Sequence, residues 1–144
     1  MAKDKPDYQD AELTLRLYEL RREAVMRESR NTINSKFWPK SYQDVVELTN
    51  PEHPMNAAFR QVTSYWEMVY GFARHGITPA DFLVENNGEG LFLYVKIQPF
   101  IEQIRKDFNP LAFQNTEWLV KNSPAAQTAL ERIQGFIKRL TENK

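Results

Sequence analysis

The chain has 144 residues, 42% apolar and 26% charged, and its nineteen basic and nineteen acidic side chains cancel. A chain of this size hides roughly 68–70% of its unfolded surface, enough for a self-sufficient core. It has no cysteine, which removes disulfides, thiolate catalysis, iron–sulfur clusters and zinc–thiolate sites. The zero balance disfavours a general nucleic-acid binder, whose affinity comes mostly from neutralising phosphates.

Four dipeptides organise the rest: Asn50-Pro51, Thr78-Pro79, Asn109-Pro110 and Ser123-Pro124. Each joins a favoured helix N-cap to the imino acid favoured at the first helical position. Residues 1–6 are polar, without an apolar signal region, and are expected to be disordered. A first helix is predicted from Pro6 or Asp7 to about Arg30, with Asp7, Asp10 and Glu12 at its positive end. Leu13, Leu17, Leu20 and Ala24 form one stripe on it, and Ala11, Leu15, Tyr18 and Val25 a second. Two stripes predict a helix sandwiched between neighbours. Its arginines, Arg16 to Arg30, alternate with Glu12, Glu19, Glu23 and Glu28 and read as a solvated face.

The pattern weakens from Asn31 to Trp38 and breaks at Pro39. Ser41–Leu48 reads as a short helix or a turn. Pro51–His75 is the most regular segment, with Met55, Ala58, Phe59, Val62, Tyr65, Trp66, Val69, Phe72 and Ala73 at helical spacing. Gly76 suits the left-handed position that ends it, with Ile77 folding back on Phe72. Thr78-Pro79-Ala80-Asp81 opens a short helix with capping-box spacing. A loop at 86–90 precedes a stripe of Gly90, Tyr94, Ile97, Ile101, Ile104 and Phe108, kinked at Pro99. Helices with Phe113, Trp118 and Leu119, then with Ala126, Leu130, Ile133, Ile137 and Leu140, are predicted after Pro110 and Pro124. Residues 142–144 should fray. The fold class is all-α: one helical bundle over 1–144, with four main helices and two or three short ones joined by short connections.

Motifs for chemistry are scarce. His53 and His75 lie a helix length apart and cannot share a metal, and neither follows a glutamate by three as a di-metal bundle requires. Gly88-Glu89-Gly90 has neither the preceding strand nor the following Lys-Ser or Lys-Thr of a phosphate cradle. No Gly-x-Ser-x-Gly elbow occurs. Glu67 draws the eye, with Tyr70 one turn below it and Arg74 two turns below. A polar site there would be lined by Tyr65, Trp66, Glu67, Tyr70, Arg74, Tyr94 and Arg105; the plainer reading pairs Glu67 with Arg105. Gly71 and Gly135, inside helices, point to close packing. Phe37, Trp38 and Tyr42 could form a lid on one end or a partner surface.

Tyr65-Trp66-Glu67, the exit Arg74-His75-Gly76-Ile77 and Asp81-Phe82 resemble a bacterial family of uncharacterised helical proteins. Ile101-Glu102, Arg105, Phe113 and Trp118-Leu119 continue the likeness, over roughly residues 55–121. It implies an all-α fold and a bacterial origin and carries no activity or site. Many members are expected to carry an N-terminal membrane anchor that is not seen here.

The leading expectation is a cytoplasmic interaction protein, without cofactor, metal or membrane span, that associates with itself or with another protein. No catalytic constellation supports an enzyme. The alternative is a small-molecule-binding protein or enzyme with an aromatic-lined pocket around Glu67.

Overall fold

Asp7 starts the first helix by accepting from the Asp10 backbone N–H while the Asp10 carboxylate accepts from that of Asp7, a complete capping box. The structure, a computed structural model, describes residues 3–142; of the expected loose ends, 1–2 and 143–144 lie outside the described residues. Helix α1 spans Tyr8–Arg22 and α2 spans Ala24–Lys36. The single helix expected to run to Arg30 is therefore two. Glu23 takes an extended ψ of 142°, and its carboxylate accepts from the Val25 and Met26 N–H groups, capping α2. A residue that favours helix interiors serves here as an N-cap, so the break leaves no signal in the pattern. The sandwich expectation also fails. Leu17 is buried, whereas Leu15, Tyr18, Leu20 and Val25 stay exposed.

Helix α3, Tyr42–Leu48, has its own capping box from Ser41 and Asp44. Helix α4, Asn56–Arg74, begins five residues after Pro51. Asn50 turns the chain by accepting from the Glu52 N–H, and Asn56 ties the true start to Leu48 O at 2.6 Å. At the far end Gly76 sits at φ 74°, and the Ile77 N–H reaches Phe72 O at 2.9 Å, the expected left-handed stop. Helix α5, Ala80–Asn86, lacks the expected cap from Thr78: the buried Thr78 hydroxyl bonds Asp10 instead.

Pro99 does more than kink its segment. Helix α6, Gly90–Ile97, passes into a 3-10 turn at Gln98–Phe100 before α7, Ile101–Asp107, because proline lacks the N–H an unbroken helix needs. Asn109-Pro110 starts no helix. Asn109 accepts from the Leu111 N–H in a local turn, and α8 spans Gln114–Asn122. Only Ser123-Pro124 works as expected: α9, Pro124–Glu142, begins at the proline, and Ser123 accepts from the Ala126 N–H. Asp81 of α5 also caps this start, accepting from the Ser123 hydroxyl and the Ala125 N–H.

All regular structure among the described residues is helical. Helix α4 lies between α2 and α8, and α9 packs on α5, α6 and α8. Tyr70, Leu17, Ile33, Leu91, Ile97 and Leu119 are among the fully buried side chains. Close approach explains Gly71, whose added Cβ would meet the Asn115 amide at 2.9 Å, but not Gly135, which has nothing nearer than 3.6 Å. The tightest glycine is Gly90, where a Cβ would stand 2.7 Å from the Trp66 ring and the Tyr70 hydroxyl. Phe37 packs on Phe59, Trp38 meets Phe92 edge-on, and the Tyr42 hydroxyl donates to Asp107, so this aromatic group closes onto the body of the protein. No described helix is long and apolar enough to cross a membrane.

Candidate functional site

Glu67 projects from the middle of α4 toward the first turn of α8. Its Oε2 accepts from the Asn115 N–H at 3.0 Å, and its Oε1 from the N–H and the hydroxyl of Thr116. A helix start leaves its first N–H groups without intrahelical partners and carries partial positive charge. The carboxylate meets both needs. Phe113, just before α8, sits at φ 59° and cannot cap through its side chain, so the cap comes from another helix.

The expected pairing of Glu67 with Arg105 does not form. Arg105 donates to Ala112 O at 2.9 Å and to Glu117 at 3.2 Å. Backbone donors at α8 supply the charge compensation that an arginine would have given Glu67. Beside Glu67 opens a cleft of about 510 Å³ between α4 and residues 104–115. Phe59, Ile104, Phe108, Leu111 and Phe113 give it an apolar lining, and Glu67 is the charged residue among its walls.

The other expected site residues are spread over several places. The Tyr65 hydroxyl donates to Leu17 O at 2.6 Å, and that of Tyr70 to Asn87 O at 2.9 Å. Trp66 stacks on Tyr70 with centroids 5.7 Å apart, against Gly90. These three rings fasten α4 to α1 and to the start of α6. Arg74 reaches Asn115 Oδ1 at 3.2 Å, and Tyr94 packs 6.4 Å from the Phe113 ring. Of the seven residues, Glu67 alone lines the cleft. Burial pushes the Tyr65, Tyr70 and Tyr94 phenols up, so none of them is a ready base. His53 accepts from the Met55 N–H through Nδ1 and is held in a local turn.

Lys96 escapes the sequence reading. It is buried, and its amine lies 2.9 Å from Ile33 O and 3.5 Å from Asn34 O, in the last turn of α2. The Trp38, Phe92 and Phe37 rings surround it at 4.5, 4.6 and 5.5 Å. The carbonyls and rings favour the ammonium, but no carboxylate is within ion-pair distance among the described residues, and burial pushes the amine down to about 7. One signal was available: Lys96 is the sole charged residue between Glu89 and Glu102. Apart from Phe92, its cage comes from residues 33–38, about sixty positions earlier, which no local pattern reveals.

No curated protein and no solved structure matches the chain. A family model described as a domain of unknown function, DUF4760, matches residues 6–123. The match takes in α1 through α8, stops before α9, and includes the stretch from Tyr65 to Leu119 on which the resemblance rested. The chain belongs to the DUF4760 family.

Proposed function

We propose that the protein is an interaction module, one helical bundle that pairs with a second copy of itself through α1. The carrying observation is an uncovered stripe: Tyr8, Leu15 and Tyr18 are 77, 58 and 45% exposed, and with Ala11 they repeat at three- and four-residue steps along one face. Leu20, Val25 and Met68 are exposed as well. A contiguous apolar surface of this kind marks an association site.

Charge supports a copy of the same chain as occupant. Asp7 and Glu12 are exposed at the start of α1, where Lys3 pairs with Asp7 and with the buried Asp10, whereas its last seven residues carry Arg16, Arg21 and Arg22 against Glu19. Two α1 helices running antiparallel about a two-fold axis would each set an acidic half against a basic half. Sedimentation equilibrium tests this. A dimer is expected for the parent chain and a monomer for Leu15→Glu. Glu12→Arg and Arg21→Glu should each weaken pairing, and the double exchange should restore it. A parent chain that stays monomeric at high concentration defeats the reading.

A second reading has the cleft beside Glu67 in its favour. A mostly apolar hollow of about 510 Å³ with one carboxylate at its wall suits a small apolar molecule carrying an amine. Glu67, held by three donors from the start of α8, would orient such a ligand. A thermal-shift screen of apolar amines should give a shift that Thr63→Trp, which fills the cleft, removes.

A further inference from the structure

A second hollow, of about 530 Å³, lies on another part of the molecule, with Lys96 in its wall beside Trp38, Lys40, Val95, Ile137 and Thr141. It shares no lining residue with the Glu67 cleft or with the exposed stripe of α1. We propose that Lys96 is a reactive amine that condenses reversibly with an apolar aldehyde or ketone held in this hollow, with Lys40 drawing in carbonyl compounds that also bear an anionic group.

Three observations converge on it. First, the amine is placed by fixed acceptors. Ile33 O and Asn34 O at the end of α2 take two of its protons, so a third proton, or the lone pair once that proton leaves, points away from them. Second, the charged form has no counter-ion among the described residues. Rings shield it and no described carboxylate answers it, unlike Lys3, which sits 2.8 Å from both Asp7 and Asp10. Desolvation of this kind favours the neutral amine, and it is how lysine nucleophiles are activated near neutral pH. Third, the hollow beside it is mainly apolar, and the other charged residue in its wall is Lys40, again a cation.

The step balances without an oxidant or reductant. The Lys96 nitrogen lone pair attacks the carbonyl carbon, and the C=O electron pair moves to oxygen, which takes a proton. The hydroxyl and the second amine proton then leave together as water while the nitrogen lone pair closes the C=N bond, and hydrolysis reverses the sequence. The rings around Nζ would exclude bulk water from the imine once formed.

Reductive trapping tests this. The full chain at pH 7 is treated with limiting 4-formylbenzoate and sodium cyanoborohydride, and the modified lysines are located by peptide mass spectrometry. Lys96 should be labelled roughly tenfold or more faster than exposed Lys106 or Lys121. Labelling no faster than at those lysines overturns the proposal. In Lys96→Arg, which keeps a donor for the α2 carbonyls, the fast label should vanish while the slow ones persist. Lys40→Ala should cut the rate for 4-formylbenzoate and leave that for benzaldehyde unchanged; equal loss for both removes the anion part. The parent chain's labelling map decides the main point even if a variant folds poorly.

Discussion

Thr116 gives both its backbone N–H and its hydroxyl to one oxygen of Glu67, 49 residues earlier in the chain. The most conspicuous acid of the sequence is thereby a fastener between two helices. Glu67→Ala leaves the Asn115 and Thr116 N–H groups without acceptors and should destabilise the fold by about 1–2 kcal/mol, the range for loss of a helix cap. Glu67→Gln, which keeps one acceptor oxygen, should fall between. Thermal unfolding of the three proteins checks the order.

Two glycines should respond in opposite directions. Gly90→Ala drives a methyl into Trp66 and Tyr70 and should cost about 1–3 kcal/mol, as overpacking does. Gly135→Ala meets only ordinary contact inside α9 and should stabilise the protein by about 0.5–1 kcal/mol. Urea midpoints for the pair make the comparison direct.

Lys96 gives stability a pH dependence above neutrality. Its amine falls from 10.5 to about 7 on folding, so between those values the unfolded chain binds more protons than the folded one. Stability should therefore rise with pH across that window, and the contribution is least favourable below it. Carbonyls and rings around the ammonium limit the swing to about a few kcal/mol. Lys96→Met should flatten this part of the profile, measured as urea midpoints from pH 6.5 to 10.

Arg30 and Glu89 form a two-pronged pair at 2.6 and 2.9 Å, and Arg30 also donates to Arg21 O. This one guanidinium joins the end of α1, the body of α2 and the residue before α6. A double-mutant cycle on Arg30→Ala and Glu89→Ala should give a coupling of about 1–3 kcal/mol. Arg30→Lys should recover little of it, because a single ammonium cannot match the fork.

What the sequence disclosed follows the range of the forces involved. Helical content, the face of α4 and its stop at Gly76 depend on spacing and on one backbone conformation, and all three could be read locally. The Asn-Pro pairs misled because asparagine bends the chain by bonding two residues ahead as readily as it caps a helix. Asn50 and Asn109 both do so, while Ser123 caps. The break at Glu23 was hidden because the residue type argues for continuity. At the candidate site, Glu67 could be singled out by its place among aromatics, but its donors lie on α8. Lys96 and its cage come from two separated stretches of chain, 33–38 and 92–96, so their meeting is a property of the fold alone.

Helices α8 and α9 share one dependence. Glu67 closes the start of the first and Asp81 helps to close the start of the second. Both acids precede the helices they complete, and a chain made from its N-terminus presents α4 and α5 before α8 is finished. The C-terminal quarter is thus built on docking points already in place, and a fragment beginning at Asn109 would lack both. Such a fragment should be largely unstructured alone and gain helix when mixed with residues 1–108, a dependence visible by circular dichroism.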